Sequence, residues 1–407
     1  MRVTHLLATS AIALASCPSF AWGDEILNDQ LQFGDVFANM DVVLESETGG
    51  DAVSGATAEG NVFSAANYAG GYMPLSDQDM EGSATAISTM TGGLVAGQAV
   101  ATSTAGANSY RLETHDGNAD TWFAQTNSGD EVRAETTIQL DTVNSIGSSA
   151  SATSNNAAIY VYDGDTIVDA VQSSSSDVTA ANTIQAGLVD GDTVAATTSV
   201  ANSYFSWSGP SQVATSIEQS NDGAFVSATT RLVQTGGDEI AAASTASGNS
   251  IAIDNQFGDV FVTADQENNA DVNAETIVAL DEWIGTASAS AYGVGNSTLI
   301  TNIGADAETN TVQTNTGDVS ATVSLTGASS ANGSAHLGTT AIGNAYTGFV
   351  CAECGDAQLT GSIYQSNGAS VSSVGTITAP RTGGVYGTAS AIGNTASFTT
   401  AIPSSGH

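Results

Sequence analysis

The segment VQTNTGDVSATVSL, residues 312–325, carries the pattern that decides the fold of this 407-residue chain. Gln313 is followed by the turn-forming pair Gly317 and Asp318, and then by residues that alternate between apolar and polar up to Leu325. Alternation with a period of two is typical of a β-strand with one buried face. The same frame recurs about every 47 residues along the chain, which indicates a tandem-repeat protein.

Two sets of amide residues mark the repeat. The first set consists of Gln30, Gln78, Gln125, Gln172, Gln219, Gln266, Gln313 and Gln365. The second set closes a segment of small residues and consists of Asn61, Asn108, Asn156, Asn202, Asn249, Asn296, Asn344 and Asn394. Because two independent landmarks share one period, we predict eight repeats. We expect the stacked amides to hydrogen-bond from repeat to repeat as structural ladders.

The predicted fold is all-β, a right- or left-handed β-solenoid of eight repeats. Each repeat contains about four short alternating segments separated by turn formers such as Tyr162-Asp163-Gly164-Asp165. Because a solenoid coil often takes about 20 residues or slightly more, we predict two coils per repeat. Sixteen coils at the usual strand spacing would form a rod about 75 Å long. The alternatives are one large coil per repeat, or a β-propeller, which usually has a recurring aromatic signature in each blade.

The charge balance excludes several classes of partner. The chain has 42 Asp and Glu residues and only five basic residues, all of them Arg. Such a protein repels nucleic acids and anionic membranes and favours cations or cationic partners. High charge can also indicate disorder, but regular alternation and scarce proline argue for a folded chain.

The N-terminus has the features of a secretory signal peptide covering residues 1–21. An apolar run, Leu6 to Ala15, precedes the small-x-small site Ser19-Phe20-Ala21. Lipid attachment at Cys17 is the alternative. The rest of the chain, residues 22–407, is predicted to be a single repetitive domain, and none of its segments is apolar enough to span a membrane.

Two cysteines, Cys351 and Cys354, lie in a four-residue insertion between Asn344 and Gln365. Since an exported protein meets an oxidising environment, we predict a local disulfide between them. Redox chemistry or half of a zinc site are the alternatives for this spacing.

We predict no catalytic, cofactor or metal site. The histidines after the signal peptide, His115, His336 and His407, have no Ser or Cys partner in a recognisable motif. The chain also lacks the glycine-rich phosphate loop of nucleotide-binding proteins.

A recurring aspartate and several aromatic residues have competing interpretations. The aspartate follows the Gln anchor as Asp35, Asp130, Asp177, Asp271 and Asp318. Calcium binding is one interpretation, but two coils per repeat would separate these carboxylates by about 10 Å, which favours solvated turns. Sugar stacking is one interpretation of the aromatic residues, and packing in the interior is the other. These residues are Trp122, Trp207, Tyr204 and Tyr292.

The repeat style resembles a known group of proteins. Strands of the types Gln-x-Asn-x-Gly-Asp-Val-x-Ala and Ala-Ser-Ala-x-x-Gly-Asn resemble those of the holdfast anchor proteins of stalked and budding bacteria, in particular the holdfast attachment protein D family. The resemblance runs from Gln30 to about Ile402. It implies an exported, outer-membrane-associated protein at the cell surface. The implied partners are other holdfast anchor proteins, a curli-type secretion pore and an adhesive polysaccharide. The repeats are also similar to curlin repeats, although the curlin unit is shorter.

We therefore predict a non-catalytic surface protein that anchors an adhesive polysaccharide. A self-assembling, curli-like amyloid fibre subunit is the first alternative, and the sequence is compatible with a homo-oligomer. A polysaccharide-degrading solenoid enzyme is the second alternative.

Overall fold

The computed structural model describes residues 24–45, 47–68, 70, 72–330, 333–351, 357–379 and 382–401. The predicted signal peptide, Cys17 and Cys354 lie outside these ranges, so the domain boundary after Ala21 stays a prediction. All regular secondary structure in the described part of the chain is β-strand, as predicted.

The strands fall into three kinds that alternate along the chain. The Gln strands carry the Gln anchors and are β1 (Asp24–Gln32), β4 (Tyr72–Met80), β6 (Ala119–Asn127), β8 (Thr166–Ser174), β11 (Val213–Asn221), β14 (Val260–Asn268), β17 (Ala307–Asn315) and β20 (Leu359–Asn367). The middle strands follow them and are β2 (Val36–Leu44), β9 (Asp177–Val189), β12 (Phe225–Gly236), β15 (Asp271–Trp283), β18 (Val319–Ser330) and β21 (Val371–Thr378). The Asn strands close each repeat and are β3 (Ala52–Asn67), β10 (Thr193–Pro210), β13 (Ile240–Gln256), β16 (Thr286–Ile303), β19 (Ser334–Cys351) and β22 (Gly384–Ala401). In two repeats the middle and Asn strands run together as β5 (Ala84–His115) and β7 (Glu131–Tyr162).

Every strand pairs in parallel with its equivalent one repeat away. Gln266, for example, lies beside Gln219 on one side and Gln313 on the other. One repeat is therefore one coil, and the prediction of two coils per repeat is wrong. The error arose because a long Asn strand contains two alternating segments, each of which has the length of an ordinary strand.

This register also changes the predicted shape. Eight Gln strands stacked at the usual spacing extend about 34 Å along the stacking axis. An Asn strand of 18 residues, such as β16, spans up to about 60 Å. The body is thus a broad, flattened solenoid, and the predicted 75 Å rod is wrong.

The interior consists of two apolar clusters that both run along the stack. The first half of each Asn strand packs on a middle strand, mostly through alanine and aliphatic residues such as Ala134, Val272 and Ala289; this cluster also contains Trp283. The second half packs on a Gln strand through larger residues, represented by Phe123 and Ile159. Each Asn strand therefore contributes to both clusters.

The Asn anchor lies where an Asn strand passes from one cluster to the other. At this point the alternation of buried and exposed residues changes phase, so that Ala201 and Asn202 are both buried. Glycine often precedes the anchor because the backbones lie close together. A Cβ atom on Gly248 would lie 2.3 Å from Asn268 Oδ1 and 2.5 Å from the carbonyl oxygen of Gly295.

Candidate functional site

The eight predicted Gln anchors form one continuous ladder. Each side-chain Nε2 from Gln78 to Gln365 donates to the Oε1 of the Gln in the preceding coil, as in the 2.7 Å bond from Gln219 to Gln172. The same Nε2 atoms donate to carbonyl groups of the Asn strands, such as Ser250 O at 3.1 Å from Gln219. The ladder thus joins neighbouring coils and also joins the two sides of each coil.

The Asn anchors form a second ladder that runs in the opposite direction. Asn202 Nδ2 donates to Asn249 Oδ1 of the following coil at 2.8 Å and to Ser220 O of a Gln strand at 2.7 Å. Other bonds of this ladder join Asn61, Asn108, Asn249, Asn296, Asn344 and Asn394.

Asn156, which the sequence analysis placed in this ladder, lies outside it. Its neighbour Asn155 accepts from Asn108 and donates to Asn202. Successive residues of a strand point to opposite faces, so only one of the two amides can face the interior. Asn155 is fully buried, whereas Asn156 lies on the outer side and is half-buried.

A third, shorter ladder joins Asn221, Asn268, Asn315 and Asn367 at 2.7–2.8 Å. These side chains are held inside the solenoid and bond to each other or to backbone groups. The buried amides therefore act as cross-links between coils, and ligand chemistry must lie on the outer surface.

Four of the five recurring aspartates, Asp35, Asp177, Asp271 and Asp318, accept a hydrogen bond from a backbone N–H in the turn of the next coil. Asp177 Oδ1 accepts from the backbone N–H of Ala224 at 2.9 Å, and Asp271 Oδ1 accepts from that of Asp318 at 2.9 Å. Because one repeat is one coil, members of the row in adjacent coils, such as Asp271 and Asp318, are about 4.8 Å apart, half of the expected spacing, whereas Asp177 and Asp271 are two coils apart. Within the described ranges, no group of three or more His, Cys, Asp or Glu residues has a metal-binding arrangement.

Three carboxylates crowd the outer face of the first two Gln strands. Asp77 pairs in register with Asp29, and Asp79 lies on the same face. Partial burial, followed by the charges of Asp29 and Asp79, raises the pKa of Asp77. The fold therefore disfavours the ionised form of this side chain.

We expect Asp77→Asn to stabilise the protein at pH 7. A pKa that is raised in the fold contributes stability below the ordinary pKa, and this contribution is lost as the pH rises through the raised value. Thermal unfolding at pH 7 should give a slightly higher Tm for the variant, and the difference should disappear near pH 3. Asp169→Asn is the control because Asp169 pairs with Trp122 and Ser216. A lower Tm for Asp77→Asn at pH 7 would contradict the expected electrostatic strain.

Aromatic rings form a stack on the outer surface near the end of the Asn strands. Tyr68, His115 and Tyr162 stack in order with centroid distances of 5.1 and 4.4 Å, and Trp207 contacts Tyr162 at 4.8 Å. The planes of the first three rings are within 11° of parallel, so each ring packs face to face on the next. The stack is therefore a structural ladder whose first ring, Tyr68, is still 70 % exposed.

The four aromatic candidates from the sequence differ in their environment. Tyr204 is 1 % exposed and belongs to the interior, so sugar stacking on this ring is wrong. Trp122 and Tyr292 are 38 % and 37 % exposed, and Trp207 is half-buried in the aromatic stack. The sequence analysis missed Tyr68, His115 and Tyr162, although the period of 47 residues relates them.

Several polar groups lie beside the aromatic stack. Arg111 lies over the ring of Tyr160, with its guanidinium carbon 4.9 Å from the centroid. Hydrogen bonds from His115 and Arg111 lower the pKa of Glu113. Among the described residues, this region combines aromatic rings, a carboxylate and a guanidinium on one surface.

Cys351 ends the Asn strand β19 and is half-buried. Cys354 lies outside the described residues, so the disulfide stays a prediction.

These features define a class of protein: a parallel β-solenoid stabilised by internal amide ladders, with its polar chemistry on the outside. A model of the family described as holdfast attachment protein D matches residues 72–318 and 305–406. The chain belongs to this family, which confirms the resemblance. Searches of curated proteins and of solved structures found no match. No helix capable of crossing a membrane occurs in the described part of the chain.

Proposed function

We propose that this chain is a non-catalytic protein of the cell surface that anchors an adhesive polysaccharide to the outer membrane. The match to the holdfast attachment protein D family over most of the chain carries this proposal. The proposed partners are other holdfast anchor proteins and a curli-type secretion pore.

The architecture suits a mechanical role. The interior amides and many of the turn carboxylates form hydrogen bonds between neighbouring coils. The strands of each coil are also paired along their length with the equivalent strands of the next coil. A load applied to one coil is therefore shared among many hydrogen bonds that would have to break together. The remaining acidic surface would repel an anionic polymer, so we expect the polysaccharide to be neutral or positively charged.

A deletion strain tests this proposal. We expect the mutant to make polysaccharide but to shed it, so that surface adhesion falls and labelled polysaccharide appears in the medium. Complementation with the wild-type gene should restore both properties, and surface labelling should place the protein on intact cells. A mutant that adheres normally and retains its polysaccharide would refute the proposal. New reducing ends after incubation of the purified protein with glycans would instead support the enzyme alternative.

A further inference from the structure

A cleft lies on the outer face of the Asn strands, where the alternation of buried and exposed residues changes phase. At this point Ala107 and Asn108 both face the interior, so the outward positions on either side of them, 106 and 109, are three residues apart. The first of these is Gly106, which has no side chain, and a cleft of about 190 Å³ remains. Its polar lining includes Glu59, Thr104, Ser109, Thr153 and Asn156.

Packing does not require a glycine at position 106. A Cβ atom there would lie 3.8 Å from Cγ of Glu59 and 3.9 Å from the carbonyl oxygen of Thr153, which are ordinary contact distances. Its φ angle lies outside the positive range. The equivalent positions of later coils carry larger side chains, such as Val200, Val294 and Ile342. The backbone therefore does not explain why this coil lacks a side chain at the phase change.

Two polar side chains beside the cleft are not used by the fold. Asn156 is the amide that faces outwards next to the buried Asn155, and its side chain forms no hydrogen bond among the described residues. The carboxylate of Glu59 is exposed and also forms none within the described ranges. An amide both donates and accepts, whereas a carboxylate accepts. The cleft therefore offers both kinds of group to a polar ligand.

Aromatic residues continue outwards from the cleft on two neighbouring strands. They are Tyr160 and Tyr162 of β7, and Phe205 and Trp207 of β10. In the next two coils the positions equivalent to Trp207 are Asp254 and Thr301, so the rings end where the polar surface resumes. The cleft and the rings form one surface, the outer track, which runs about 30 Å along β7 from Thr153 to Tyr162.

The ring end of the outer track carries compensated charges, although the chain as a whole has a net charge of −37. Arg111 donates to Glu113 at 3.2 Å and lies over the ring of Tyr160. His115 Nε2 lies 2.9 Å from the same carboxylate. Arg111 is one of only five basic residues in the chain, so a basic group beside the rings is exceptional. This part of the surface therefore suits an uncharged polymer.

We propose that the outer track binds a neutral polysaccharide, with one sugar ring in the cleft at Gly106 and others over the aromatic residues. A pyranose ring has apolar C–H faces that pack on aromatic rings, and hydroxyl groups that hydrogen-bond to amides and carboxylates. Ligand sites commonly combine an apolar lining with a few placed polar groups, as this surface does. The inference rests on the proposed function, because the ligand is the anchored polysaccharide, and it assigns the contact to one part of the solenoid.

Binding of the exported protein to polysaccharide sheared from wild-type cells and fixed on a biosensor tests the proposal. Gly106→Val should fill the cleft and weaken binding about tenfold or more. Gly147→Val is the matched control, because Gly147 also faces outwards on β7 and a Cβ atom there would lie 3.5 Å from its nearest neighbour, Gln98 Nε2. This control should bind as tightly as the wild type.

A second pair of variants tests the rings. Tyr160→Leu keeps an apolar side chain but removes the ring, and it should also weaken binding about tenfold. Tyr292→Leu should leave binding unchanged, because the exposed Tyr292 lies two coils beyond β10. Circular dichroism and unfolding midpoints of all four variants should match the wild type. If Gly106→Val and Tyr160→Leu both bind like the wild type, the site is overturned and the anchoring function stands.

Salt distinguishes a neutral ligand from a charged one. Binding to a neutral polysaccharide should change little between about 0.1 and 1 M salt, because screening acts on charge pairs. A large loss of binding at high salt would overturn the neutral ligand, and a wild type that does not bind would overturn the site. Anchoring is tested separately, since a deletion strain that retains its polysaccharide refutes it whatever the biosensor shows.

Discussion

Replacing Asn155 by alanine is expected to lower the free energy of unfolding by about 3 kcal/mol. Asn155 donates to Ser173 O and Asn202 Oδ1, both at 2.8 Å, and accepts from Asn108 Nδ2 at 2.9 Å. Alanine removes all three bonds and leaves buried groups on two neighbouring coils without a partner. The cost of desolvating such groups exceeds the net value of the bonds themselves, and coupling along the ladder adds to it.

Asn156→Ala is the matched control because it removes the same chemical group from the adjacent, half-buried position. We expect this variant to change the free energy of unfolding by less than about 0.5 kcal/mol. Urea denaturation monitored by circular dichroism measures both values. Equal effects at the two positions, or a larger effect at Asn156, would refute the assignment of the ladder.

The repeat and the ladders could be predicted from the sequence because both depend on chemistry that is local to each repeat. Gln313 and Asn296 recur at a fixed period, and stacked amides have an obvious partner in the next coil. Asn156 was misplaced because two adjacent asparagines satisfy the same spacing. Only the contact between strands decides which of them faces the interior.

The number of coils per repeat could not be predicted because strand alternation does not reveal which strands are neighbours. The segment from Thr286 to Ile303 changes phase at its centre, and this change has the appearance of a turn between two strands. The aromatic stack was missed for a related reason. Tyr162 and Trp207 are two positions out of register, and the long indole side chain covers the difference by leaning over Gly209.

Replacing Trp283 by alanine should lower the free energy of unfolding by about 3–5 kcal/mol, at least as much as replacing Asn155. Trp283 is the largest fully buried side chain among the described residues, and it ends the middle strand β15. The loss combines apolar surface returned to water with a cavity that the surrounding β-strands cannot easily collapse to fill. Trp122→Ala is the control because Trp122 lies 38 % exposed on the outer face, where we expect a loss below about 1 kcal/mol.

Trp283→Phe should cost much less than Trp283→Ala. The indole Nε1 has no hydrogen-bond partner among the described residues, so phenylalanine keeps most of the apolar volume and removes an unpaired buried donor. Urea denaturation of the three tryptophan variants would show which of them loses most of the free energy of unfolding. A Trp283→Phe variant as unstable as Trp283→Ala would show that ring volume does not explain the effect.

Gly327 provides a sharper test of the same packing. A Cβ atom at this position would lie 2.3 Å from Cζ3 of Trp283, so Gly327→Ala alone should destabilise the protein by about 1–3 kcal/mol. In the Trp283→Ala background the clash is absent and the added methyl group enters the cavity. The double variant should therefore be more stable than the sum of the single effects, with a coupling free energy of about 1–3 kcal/mol. Additive effects would mean that the indole ring and Gly327 are not in contact. The register that stacks one repeat directly on the next would then be wrong at this position.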